Sequence, residues 1–119
     1  MLTLPPAVRI YLATTPTDLR KGFDGLSSAV MQVIGQEPTS GHLFLFRNRR
    51  GDQIRVLFWD RTGYCIFAKR LAQGRFHWPI PTSPDARHVT LDAAELGLIL
   101  EGIDLTTARR HKRFRLSPP

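Results

Sequence analysis

Three runs in the middle of the chain decide the fold: His42-Leu43-Phe44-Leu45-Phe46-Arg47, Gln53-Ile54-Arg55-Val56-Leu57-Phe58-Trp59 and Tyr64-Cys65-Ile66-Phe67-Ala68-Lys69. They are dense in β-branched and aromatic residues, which suit a pleated, half-buried strand. The links Asn48-Arg49-Arg50-Gly51-Asp52 and Asp60-Arg61-Thr62-Gly63 are short and contain glycine. Links of that length close antiparallel hairpins, whereas parallel neighbours need long crossovers. In the second run Ile54, Val56 and Phe58 share one face, and Arg55, Leu57 and Trp59 share the other. The first face should lie under the helix expected over residues 18–34; the second is either a partner surface or covered by more chain.

Upstream, Val8-Arg9-Ile10-Tyr11-Leu12 reads as a first strand. Over residues 18–34 the apolar positions Leu19, Phe23, Leu26, Val30 and Val33/Ile34 recur at steps of three to four, the buried stripe of an amphipathic helix. Thr17 is the expected N-cap, Asp18 suits the first turn, and Gly35 is the stop. Downstream, Pro79, Pro81 and Pro84 forbid regular structure to about residue 85. Thr90 is then expected to cap a second helix over 91–101, ended by Gly102 and apolar around most of its circumference. The expected architecture is a single α+β domain over residues 1–104, with an antiparallel sheet of four to five strands and two flanking helices. A basic C-terminal tail, 105–119, should be mobile in the free protein.

The 119 residues carry 17 Lys+Arg against 10 Asp+Glu, a formal net charge of +7. That charge is held in blocks. Residues 1–46 are neutral and residues 76–103 are net −3, whereas 47–75 carry +6 and 104–119 carry +4. Fourteen of the 17 cations are arginine, the side chain suited to bidentate phosphate contacts. Codon bias would enrich arginine but would not segregate it.

Enzyme signatures are missing from the sequence. The acids are scattered, where two-metal phosphoryl transfer wants them clustered. Cys65 lies mid-strand and reads as a packing residue, and one cysteine builds neither a disulfide framework nor a multi-cysteine zinc site. His42, His77, His88 and His111 lack ligand spacing, and Gly22-Phe23-Asp24-Gly25 lacks that of a phosphate loop. We therefore expect no catalytic residue, no metal and no cofactor. The apolar runs fall short of the ~20 residues of a membrane span, and the N-terminus lacks the pattern of a secretory signal. A cytoplasmic, membrane-free protein is expected.

The ordered stretches Asp18-Leu19-Arg20-Lys21-Gly22-Phe23-Asp24-Gly25-Leu26, Leu45-Phe46-Arg47-Asn48-Arg49-Arg50-Gly51-Asp52 and Trp59-Asp60-Arg61-Thr62-Gly63 carry a family likeness. So do Lys69-Arg70-Leu71-Ala72-Gln73-Gly74-Arg75-Phe76-His77-Trp78-Pro79 and Leu98-Ile99-Leu100-Glu101-Gly102-Ile103-Asp104. Together they resemble the TnpB accessory protein of the insertion-sequence sixty-six group, a family distinct from the RNA-guided nucleases of the same name. The match spans residues 2–104. Departures are Phe58 and Ala68, where relatives often have tyrosine, and Leu105, where tryptophan is frequent. The resemblance implies a bacterial mobile-element protein that assists transposition, with the chemistry left to a separate transposase.

Two functions follow as expectations. In the first, the protein binds DNA at the ends of the element and aids transpososome assembly. Arg47, Arg49, Arg50, Arg55, Lys69, Arg70 and Arg75 would contact phosphates, joined by Arg109, Arg110, Lys112 and Arg113 of the tail. In the second it is an adaptor that meets the transposase or another accessory subunit without touching DNA; the apolar second helix also suggests homodimerisation. Trp59 and Trp78 are expected in the core rather than under a base.

Overall fold

The computed structural model describes residues 7–102. Five strands form one sheet: β1 (Ile10–Ala13), β2 (Leu43–Arg47), β3 (Gln53–Trp59), β4 (Tyr64–Arg70) and β5 (His88–Leu91), in the order β4-β3-β2-β1-β5. Helix α1 (Gly22–Ala29) lies between β1 and β2, and α2 (Ala93–Leu100) follows β5. The α+β class and the central hairpins are as the sequence indicates. The sheet is mixed rather than wholly antiparallel, because β1 runs parallel to β2. The long segment carrying α1 supplies the crossover that a parallel pair needs.

Helices cover both faces, so β2 is buried along nearly its whole length instead of alternating. On one side Leu26, Val30 and Ile34 pack against Tyr11, Phe44, Phe46 and Leu57. On the other, Leu96 and Ile99 of α2, with Phe76, cover Ile10, Leu12, Leu45, Ile54 and Val56. The two faces of β3 are therefore the reverse of the expectation: Ile54 and Val56 lie under α2, not under the helical segment of residues 18–34, and that segment covers the Leu57 face instead. Leu96 and Ile99 of α2 are buried in this cluster and Leu100 packs against it, whereas Leu98 is half-buried outside it.

The first helical region is not one regular helix. Leu19–Lys21 is a 3-10 turn, α1 is regular, and Val30–Ile34 is a π-helical turn ended by Gly35 in the left-handed conformation, φ 75°. At the first junction Gly22 has φ 69° and ψ −157°, which a side chain would resist. A Cβ at Gly25 would collide with the Cβ of Lys21. The two glycines make a kink. Phe23, expected on the buried stripe, is 50% exposed.

Two caps shift from the expected positions. The Thr17 N–H bonds the Arg47 carbonyl at 2.8 Å, so Thr17 is still tied to β2, and Asp18 becomes the N-cap by accepting from the Arg20 N–H at 3.0 Å. Thr90 pairs with Tyr11 as part of β5. Asp92 caps α2 instead, in a reciprocal box: its carboxylate accepts from the Glu95 N–H at 2.7 Å, and Glu95 accepts from the Asp92 N–H at 3.0 Å.

Candidate nucleic-acid interface

Asn48 builds the turn between β2 and β3. Its Oδ1 accepts from the N–H groups of Gly51 and Gln53 at 2.9 and 3.0 Å, while its Nδ2 donates to Asp52 at 2.7 Å. The amide of Asn48, then the charges of Arg50 and Arg70, hold the Asp52 carboxyl below its ordinary range. The turn leaves Arg49 and Arg50 exposed. Segment 71–76 is tied to the same turn: Leu71 N–H bonds the Asp52 carbonyl at 2.9 Å, and Phe76 N–H bonds that of Gly51 at 2.8 Å. Arg75 is thereby brought beside Gly51.

Strand register sorts the remaining cations. Arg55 pairs with Phe46 and Arg70 pairs with Gln53, so Arg55 and Arg70 share the α1 side of the sheet. Arg47 pairs with Ile54 and Lys69 also pairs with Ile54, which puts both on the α2 side. There Arg47 stands 5.6 Å over the Trp78 ring, with Nη2 3.5 Å from the Thr14 carbonyl and a buried, unpartnered Nε. Desolvation lowers its pKa from the ordinary guanidinium value. The Lys69 Nζ donates to the Leu100 carbonyl at 2.5 Å, at the negative end of α2. These two are engaged within the fold.

A groove of about 540 Å³ opens where the 3-10 turn meets the start of β3, lined by Arg20, Arg49 and Arg55 together with Asp18, Asn48 and Gln53. Asp18 is the one carboxylate in this lining, and both its oxygens are taken by Arg20, from Nε at 3.0 Å and from Nη2 at 3.1 Å. The hydrogen bond from the Arg20 side chain, more than any other influence, pulls the Asp18 pKa down to about 2. Three guanidinium groups therefore border a concavity whose one anion is already paired, an arrangement suited to phosphate oxygens.

Of the cations expected from sequence, Arg49 and Arg55 meet in the groove, and Arg70 lies on the same face. Arg50 and Arg75 flank the turn. Arg109, Arg110, Lys112 and Arg113 lie outside the described residues. Sequence reasoning misses Arg20 because it sits in a segment of zero net charge, far from the basic hairpins.

The remaining reactive side chains are placed less suggestively. Cys65 donates from Sγ to Asp60 at 3.4 Å, and burial, then that carboxylate, pushes the thiol pKa up. Trp78 donates from Nε1 to the Ala13 carbonyl at 2.8 Å, and Trp59 meets Tyr64 edge-on at 5.0 Å. Among the described residues no group of three or more His, Cys, Asp or Glu is placed to hold a metal ion. No described helix is long and apolar enough to cross a membrane.

Comparison with known proteins names the family. The profile of the IS66 Orf2-like proteins matches residues 8–110. Uncharacterized protein y4hO of Sinorhizobium fredii is 40% identical over 104 residues, covering 87% of this chain and 88% of that protein. Uncharacterized protein y4jC of the same organism is 35% identical over 103 residues, covering 87% and 86%. No solved structure gives a significant match. The chain belongs to the IS66 Orf2-like family, an accessory-protein family of transposition.

Proposed function

We propose that this protein is a non-catalytic accessory factor for transposition of an IS66-type insertion sequence, and that it binds the phosphate backbone of DNA at the element's ends. The observation that carries the reading is the convergence of Arg49 and Arg55 on one groove, beside an Arg20–Asp18 pair that leaves both of their charges uncompensated. Arg50, Arg70 and Arg75 extend the positive surface from the groove's rim. Phosphate contacts of this kind position a protein without reading sequence, so the reading is one of assembly rather than of site selection. Membership of an accessory family not known for catalysis agrees with a non-enzymatic role.

The test is a binding titration of the full chain against duplex DNA from the element's ends at increasing salt. Neutralising about six phosphates gives a slope of about −5 in log affinity against log salt. Absence of binding at low salt, or binding indifferent to salt, would overturn the reading.

The adaptor reading has its own motivating observation. Phe23 and Met31, at the start of α1 and in the π-helical turn after it, are 50% and 53% exposed. Large apolar side chains left exposed on this helical segment suit a protein partner such as the transposase. Co-elution with purified transposase in the absence of DNA, lost in Phe23→Ser/Met31→Ser, would favour it.

A further inference from the structure

The outer edge of β4 carries a second inference. β4 is the terminal strand of the sheet, seven residues long, and among the described residues no strand pairs with its far side. Natural sheets cover, shorten or interrupt such edges, because a row of unpaired N–H and C=O groups invites another strand. This one contains no proline and keeps its register with β3 from Tyr64 to Arg70 without a bulge. Its centre displays Phe67, 45% exposed, and an exposed Ala68.

The hydrogen-bond phase shows which groups point outward. Leu71 N–H bonds the Asp52 carbonyl and Asp60 N–H bonds that of Gly63, so the odd-numbered residues of β4 face β3. By the alternation of an antiparallel ladder, Tyr64, Ile66, Ala68 and Arg70 direct their backbone groups to the open edge. A two-fold axis at Phe67 would pair Tyr64 with Arg70 and Ile66 with Ala68 of a second copy, and the symmetry repeats both pairs. That register uses the whole strand and forms about eight new backbone bonds.

Side chains match in the same register. Phe67 meets its own copy across the axis as a non-hydrogen-bonded pair, where side chains approach closely. Arg70 lies opposite Tyr64, and Lys69 opposite Cys65, so neither cation faces a cation across the pairing. In this register the strand meets its own copy with no cation opposite a cation and with its exposed aromatic ring paired on itself.

We infer that the protein forms a two-fold dimer through antiparallel pairing of β4 with β4 of a second copy, giving one continuous ten-stranded sheet. The axis of such a pair stands perpendicular to the sheet, so the α1 faces of both copies lie on the same side. Both arginine grooves then open toward one surface. This consequence rests on the phosphate reading, but the dimer does not, and its test involves no DNA.

Sedimentation of the full chain over a wide concentration range should show a species of twice 13.5 kDa. Ala68→Pro removes an outward N–H without touching the ladder to β3, and should weaken self-association by at least about tenfold. A cross-link keeps the test sound should that variant fold poorly. With Cys65→Ser in the background, Phe67→Cys should oxidise rapidly to a covalent dimer, because facing Cα atoms in such a pair lie about 4.5 Å apart. Arg70→Cys in the same background, placed opposite Tyr64, should not. A monomer at every concentration would overturn the inference. So would a dimer that survives Ala68→Pro while Phe67→Cys fails to cross-link.

Discussion

Asp18 grips Arg20 through two hydrogen bonds of 3.0 and 3.1 Å while also capping the turn that carries it. The carboxylate therefore orients one wall of the groove and simultaneously occupies the guanidinium that an incoming phosphate would use. Asparagine at this position keeps the cap but removes the competing charge. Asp18→Asn should raise affinity for DNA by roughly two- to fivefold, as expected for release of an exposed ion pair, measured by fluorescence anisotropy. The same pair has a pH signature. The Asp18 pKa is depressed from 3.8 to about 2, so its contribution to folding is complete above the unfolded value and fades as pH falls from about 4 through 2. Acid titration of stability should lose part of that limb in Asp18→Asn.

Arg47 and Arg49 stand two positions apart and should behave oppositely. Arg47 packs over Trp78 on the α2 side, whereas Arg49 is exposed and lines the groove. Arg47→Ala should lower stability by about 1 kcal/mol through loss of the cation–π and stem contacts, with DNA affinity nearly unchanged. Arg49→Ala should do the reverse. Urea unfolding and anisotropy on the two variants give the four numbers needed.

Gly25 is required by geometry, since any side chain there meets the Cβ of Lys21. Gly25→Ala should cost about 1–3 kcal/mol in urea unfolding, even though alanine is the better helix former. A stabilised Gly25→Ala would show that the kink between the 3-10 turn and α1 is not as described.

Lys69 serves the C-terminal end of α2. Replacing it with methionine keeps the stem and removes the donor to the Leu100 carbonyl. Lys69→Met should destabilise the protein by about 1 kcal/mol and speed amide exchange at the end of α2. DNA affinity should fall far less than in Arg49→Ala.

The hairpins are legible because β2, β3 and β4 are apolar runs separated by turns with their own chemistry, and the structure places β3 at Gln53–Trp59, where the sequence pattern puts it. β5 is not legible. Its four residues sit just after a proline-rich segment, and Thr90 looks like a cap until Tyr11 is seen beside it. The parallel pairing of β1 with β2 is also hidden, since only the crossover through α1 argues for it. Strand parity separates Arg47 from the arginines that line the groove only once the register is known. Arg20 is hidden for a different reason: its approach to Arg49 and Arg55 is a tertiary fact, made by the kink at Gly22 and the bond from Thr17 to Arg47.

Phosphate binding in the groove shows itself in the salt dependence of DNA binding, measured for Arg20→Ala/Arg49→Ala/Arg55→Ala beside the unmodified chain. Each phosphate that is no longer neutralised takes about 0.9 off the slope. Arg20 is already paired with Asp18, so loss of Arg49 and Arg55 should make the triple variant shallower by about 1.8, with weaker binding to all sequences alike. A triple variant that stays folded and retains the original slope and affinity would mean that DNA does not bind at this groove.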